Sequence, residues 1–171
     1  MKPVLPRRAA LALILALTAG PASADLDGHV AIVNGVAVSP DGSRVFSASW
    51  DYTAILWDLA TQSEIRLFDA HDASVNVARF LPNGREGLTA SWDHKIKLWD
   101  LETGEIRRLF EGHENNVAGL AVSPDGALIA SASWDRTARI WRVEDAASLH
   151  VLAGHGANVM DAVFVDGGAM L

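Results

Sequence analysis

Short runs in which apolar residues alternate with small or polar ones are separated by turn residues, and this pattern predicts strands. Val33-Asn34-Gly35-Val36-Ala37-Val38 is the first such run, and Pro40-Asp41-Gly42 follows it as a tight turn in which glycine can adopt positive φ. Arg44 to Ser49 is the second run, Trp50-Asp51-Tyr52 a second turn, Ala54 to Trp57 a third strand and Glu64 to Phe68 a fourth. The same succession returns at a fixed interval. His29, His71, His113 and His155 are each 42 residues apart. So are Pro40, Pro82 and Pro124, then Trp50, Trp92 and Trp134, then Asp51, Asp93 and Asp135, then Trp57, Trp99 and Trp141. A constant period in this range marks a stacked or radial array of one supersecondary unit.

Units at about 28–69, 70–111 and 112–153, with a partial one at 154–171, make up the chain after its first residues. Four short strands in sequence form an antiparallel meander. A sheet so small cannot bury both faces alone and must lean on copies of itself, as the blades of a β-propeller do. The fold class expected is therefore all-β: a partial propeller of four-stranded antiparallel blades, three complete and the start of a fourth. The unit that runs through Gly112-His113, Val117, Ser123-Pro124-Asp125-Gly126, Ser131-Ala132-Ser133-Trp134-Asp135 and Ile140-Trp141 resembles a WD repeat of the β-transducin type. Trp57-Asp58 and Trp99-Asp100 supply the dipeptide that names the family, and the third unit departs from it with Trp141-Arg142.

This resemblance implies a hydrogen-bond network in each blade, built from a His, a Ser or Thr, an Asp and a Trp. By position the sets are His29, Ser47, Asp51 and Trp57; His71, Thr89, Asp93 and Trp99; and His113, Ser131, Asp135 and Trp141. A buried indole N–H needs an acceptor, and a buried carboxylate needs donors. Ser, His and Asp together could also suggest a hydrolytic triad. A set that recurs three times, with its hydroxyl in a packed strand, points to structure instead. The resemblance further places Trp50, Trp92 and Trp134 on a rim beside Asn34, Asn76, Asn116 and Asn158, a candidate protein-binding surface. The same indoles could equally serve to cover the neighbouring blade.

The first 24 residues read as an export signal. Lys2, Arg7 and Arg8 precede an apolar run from Ala9 to Leu17, and Ala22-Ser23-Ala24 ends in a cleavage pattern. Nine apolar residues are too few to span a bilayer. The expectation is an exported protein of bacterial style, periplasmic or secreted, by a general or a twin-arginine route. The net charge of −7 argues against a nucleic-acid partner. With no cysteine there is no disulfide, thiolate metal site or covalent haem. His94 and His150 break the repeat and read as surface residues, so neither metal nor cofactor is expected. Leu171 aligns with Ile129, inside a strand, and the chain is expected to be an N-terminal piece of a larger propeller, with self-association through the open blade edge as another way to complete it. The function expected is a non-catalytic interaction scaffold for protein partners. The alternative is the propeller portion of an exported redox or enzyme protein whose working domain lies beyond residue 171.

Overall fold

A computed structural model describes residues 28–69, 71–165 and 169–170. The expected export signal lies outside these residues. Three four-stranded antiparallel sheets follow one another along the chain. Blade one holds β1 (Val33–Val38), β2 (Arg44–Ser49), β3 (Thr53–Asp58) and β4 (Ser63–Asp69). Blade two holds β5 (Val75–Phe80), β6 (Glu86–Ser91), β7 (Ile96–Asp100) and β8 (Ile106–Phe110). Blade three holds β9 (Val117–Val122), β10 (Leu128–Ser133), β11 (Ala138–Arg142) and β12 (Ser148–Leu152). In each sheet the strands pair in chain order, as a meander requires. A short hairpin, β13 (Phe164–Val165) with β14 (Ala169–Met170), belongs to the fourth unit.

Blades two and three bury their two faces against different neighbours, and blade one packs one face on blade two. Phe46, Ala48, Ala54 and Leu56 of blade one pack on Ala78, Phe80 and Trp99 of blade two. Leu88, Ala90, Ile96 and Leu98, on the other face of blade two, pack on Val117, Leu120, Ile129 and Trp141 of blade three. The fourth unit then places Val159, Ala162 and Phe164 against Ala130, Ala132 and Ile140. Alternation within each strand thus supplies both halves of a blade-to-blade interface, and successive blades fan from one to the next. Burying a Leu, Ile or Phe side chain contributes about 2 kcal/mol, so most of the stability lies between blades rather than within them.

The inner strands come close together. A Cβ added to Gly35 would lie 2.8 Å from the carbonyl oxygen of Asn76, and one added to Gly119 would lie 2.6 Å from the Cα of Asp161. Beside these glycines each inner strand carries an extra residue that shifts its register against the second strand: Asn34, Asn76 and Ala118. Such bulges re-aim a side chain. Here the amide of Asn34 donates to Asn76 Oδ1 at 2.9 Å and so ties blade one to blade two.

Candidate functional site

Behind the second turn of every blade the four repeated residues meet in a continuous chain of hydrogen bonds. In blade two, Trp99 Nε1 donates to Thr89 Oγ1 at 2.8 Å, Thr89 Oγ1 lies 2.7 Å from His71 Nε2, and His71 Nδ1 lies 2.8 Å from Asp93 Oδ2. The corresponding distances are 2.8, 2.8 and 2.9 Å for Trp57, Ser47, His29 and Asp51. For Trp141, Ser131, His113 and Asp135 they are 2.8, 2.7 and 2.6 Å. A neutral imidazole with its proton on Nδ1 satisfies every link: indole to hydroxyl, hydroxyl to Nε2, Nδ1–H to carboxylate. The imidazole stands between the carboxylate and the hydroxyl, so the order Asp, His, Ser does match that of a hydrolytic triad. The hydroxyl nevertheless cannot act on a substrate. Ser47, Thr89 and Ser131 are 5%, 0% and 0% exposed, and an indole already occupies each oxygen.

The carboxylates are nearly enclosed, with side chains 5–7% exposed. Burial alone would raise their pKa. For Asp51 the bonds from Thr53, Val30 and His29 overcome it and hold the group at about 2. Asp93 is likewise held at about 2 against burial, chiefly by His71 and the backbone N–H groups of Lys95 and Asp72. Asp135 is lowered in the same way, with Thr137 the strongest donor. Burial outweighs the pull of Asp135 on His113 and lowers that imidazole, which favours its neutral form.

Two further repeated positions, outside the four-residue sets, belong to this framework. Ser49, Ser91 and Ser133, wholly buried, each accept from the backbone N–H of the network aspartate two residues on, at 3.1 Å. Thr53 and Thr137 donate their hydroxyls to Asp51 and Asp135 at 2.6 and 2.7 Å, while blade two has Lys95 at this position. The signal for both was present as residues 42 apart. Arg66 and Arg108, also one period apart, donate from an outer strand to the carbonyls of Glu102 and Glu144 in the next blade, at 2.7 and 2.8 Å.

With the turn fixed, the tryptophans just before the three aspartates stack on one another. Trp50 and Trp92 have ring centroids 5.6 Å apart at 47°, and Trp92 and Trp134 5.6 Å apart at 44°. Each indole thus leans on its neighbour, and Trp92 and Trp134 are half-buried. Trp50 is 37% exposed. The Nε1 atoms of Trp92 and Trp134 are buried without a protein acceptor. Of the amides expected beside them, Asn34 and Asn158 are exposed and Asn116 is half-buried, whereas Asn76 is 9% exposed and engaged by Asn34. Asn76 therefore ties two blades together and does not open onto the rim. His94 and His150 are exposed. Among the described residues no three His, Cys, Asp or Glu side chains converge as a metal site would require.

Where the inner strands converge, a recess of about 190 Å³ is lined by Asn34, Asn76, Arg79, Met160 and Asp161, among others. Arg79 and Asp161 stand where the other units have uncharged residues, so these inward charges were visible in the sequence as breaks in the repeat.

The family described as "WD domain, G-beta repeat" matches three stretches, residues 20–58, 62–100 and 104–142. The chain belongs to the WD-repeat family. Its family unit is offset from the blade by one strand. Residues 62–100 carry β4, the outer strand of blade one, before β5, β6 and β7 of blade two, and residues 104–142 carry β8 before β9, β10 and β11, so these two units each staple two blades covalently. The dipeptide aspartate caps the next turn: Asp58 Oδ1 accepts from Thr61 N at 2.8 Å and Asp100 Oδ1 from Thr103 N at 2.8 Å. Where Arg142 replaces it, the guanidinium pairs instead with Asp145 at 2.9 Å.

Among curated proteins the chain is similar to "MST50-interacting protein 11" of Pyricularia oryzae, 49% identical over 43 residues, and to "Cross-pathway control WD-repeat protein 2" of Flammulina velutipes, 46% identical over 43 residues. It is also 47% identical over 45 residues to "Small ribosomal subunit protein RACK1z" of rice, Oryza sativa subsp. japonica. These matches cover 25–26% of this chain and 14% of the length of each relative. All three relatives are eukaryotic, which lends the bacterial, exported reading no support.

Proposed function

We propose that this chain is a non-catalytic scaffold that binds protein partners through the rim formed by Trp50, Trp92 and Trp134. The observation that carries this reading is the unbroken stack of three indoles, held in place by three buried networks and presented on one side of the blades. Aromatic side chains on a rigid base lose little conformational freedom on binding and are enriched where interfaces concentrate their energy. Family membership supports the same reading, since WD repeats serve widely as frames for protein assembly, and one relative is named for an interaction. Asn34, Asn116 and Asn158 add polar contacts beside the indoles.

The reading is tested by capturing partners with the parent chain and with Trp50→Ala, singly and combined with Trp92→Ala and Trp134→Ala. Loss of a central aromatic anchor weakens binding by about 2 kcal/mol, or roughly thirtyfold. Partner recovery that is unchanged in the triple variant, with melting preserved, would discard the rim. Export remains part of the proposal on the strength of the basic, apolar and small-residue sequence of residues 1–24. Its check is N-terminal sequencing of the protein recovered outside the cytoplasm, with Asp25 expected as the first residue.

A further inference from the structure

The gap between blades one and two and the gap between blades two and three are each walled by two complete four-stranded sheets, so one can be compared with the other. Each opens into a recess of about 450 Å³ beside the turn that joins the first two strands of its second blade. In a meander that turn lies at the opposite end of the sheet from the turn that holds the tryptophan. Between blades one and two the chain bridges the opening itself. Arg44 reaches across, and its guanidinium donates to the carbonyl of Gly84 at 2.5 Å. One period on, Glu86 stands in place of Arg44 and Gly126 in place of Gly84. Among the described residues no side chain donates to the carbonyl of Gly126.

The second gap has thus lost a cation and gained carboxylates. Glu86, Asp125 and Glu144 line it beside Leu81, Leu128 and Val143. Glu86, Val143 and Glu144 also line an adjoining recess of about 280 Å³, so the two glutamates stand where both spaces meet. The arginines of these walls are engaged elsewhere: Arg142 with Asp145 at 2.9 Å, Arg107 with Asp100, and Arg108 with the carbonyl of Glu144 at 2.8 Å. Among the described residues neither Glu86 nor Glu144 has an ion-pair partner. Glu86 is half-buried, and one of its oxygens accepts from Asn83 at 2.8 Å, which leaves the other free. A half-buried carboxylate beside leucines gains most from a cation that it can also bond.

We infer that the gap between blades two and three receives an arginine side chain from a protein partner. The neighbouring gap shows the chemistry, because there the chain supplies an arginine of its own. The aliphatic stem would lie on Leu81, Leu128 and Val143, and the guanidinium would meet Glu86, Glu144 and the carbonyl of Gly126. This surface is separate from the stacked indoles and does not rest on them.

The test follows backbone amide NMR shifts of the full chain as it is titrated with the capped tripeptide Ala-Arg-Ala. The neutral citrulline peptide of the same shape is the control. Saturable shifts centred on Gly126 and Val143 are expected, with the citrulline peptide weaker by about tenfold or more. Glu86→Gln with Glu144→Gln should weaken the arginine peptide by about tenfold. Glu86→Arg installs the residue that blade one carries and should exclude the peptide by bridging the gap from within. Should that variant fail to fold, the paired glutamine variant decides. Absence of saturable shifts, shifts centred elsewhere, equal binding of the two peptides, or binding that survives in the folded variants overturns the inference.

Discussion

Asp93 accepts from His71 and from the backbone N–H groups of Lys95 and Asp72, so its removal strands several donors at once. Asp93→Ala should lower unfolding stability by about 2–4 kcal/mol in urea titration, more than one ordinary hydrogen bond is worth. A loss under about 1 kcal/mol would show that the network adds little. The same groups set the response to pH. Asp51 and Asp93 are depressed to about 2, so their contribution is complete above the unfolded value near 4 and disappears as pH falls through about 2. His113 is also depressed, and the unfolded chain therefore takes up that proton first as pH drops below about 6.5. Stability should thus fall in two stages on acidification, a small one below about 6.5 and a larger one between about 4 and 2. Urea midpoints measured across this range check it, and Asp93→Asn should shrink the acid stage alone.

At the level of the element, blade two lacks the threonine that its neighbours place on their aspartates. Lys95→Thr should add the missing hydroxyl bond and raise stability by about 0.5–1 kcal/mol, read as a shift in melting temperature. The exposed Lys95–Glu111 pair it removes, at 3.7 Å, is worth little by comparison. Strands, turns and blade count were legible in the sequence because alternation and turn residues report local geometry directly; β1 and β2 have the bounds their hydrophobic pattern predicts. The four-residue networks were legible only through the resemblance to WD repeats, since spacing alone does not say which side chains touch. Ser49, Thr53 and Arg66 were harder to see. Serine and threonine are ordinary on the polar face of a strand, and an arginine on an outer strand looks like solvated charge until the next blade's carbonyl is in place. Positive φ at Tyr52 and Arg136 was likewise hidden, because neither is a residue that favours it. The displaced Asn76 followed from a bulge, which depends on how two strands pair.

For the molecule as a whole, stability should vary from blade to blade, because each blade borrows its core from its neighbours. Blade two is packed on both faces, and five of the six residues of β5 are buried. No residue of β1, at the same place in blade one, is buried. Hydrogen exchange on dilute protein should therefore find the amides of β5, β6 and β7 slowest, opening only with global unfolding, while β1 opens earlier in a separate step. Equal protection of β1 and β5 at low concentration would mean that the inner strand of blade one draws on support its exposed side chains do not reveal.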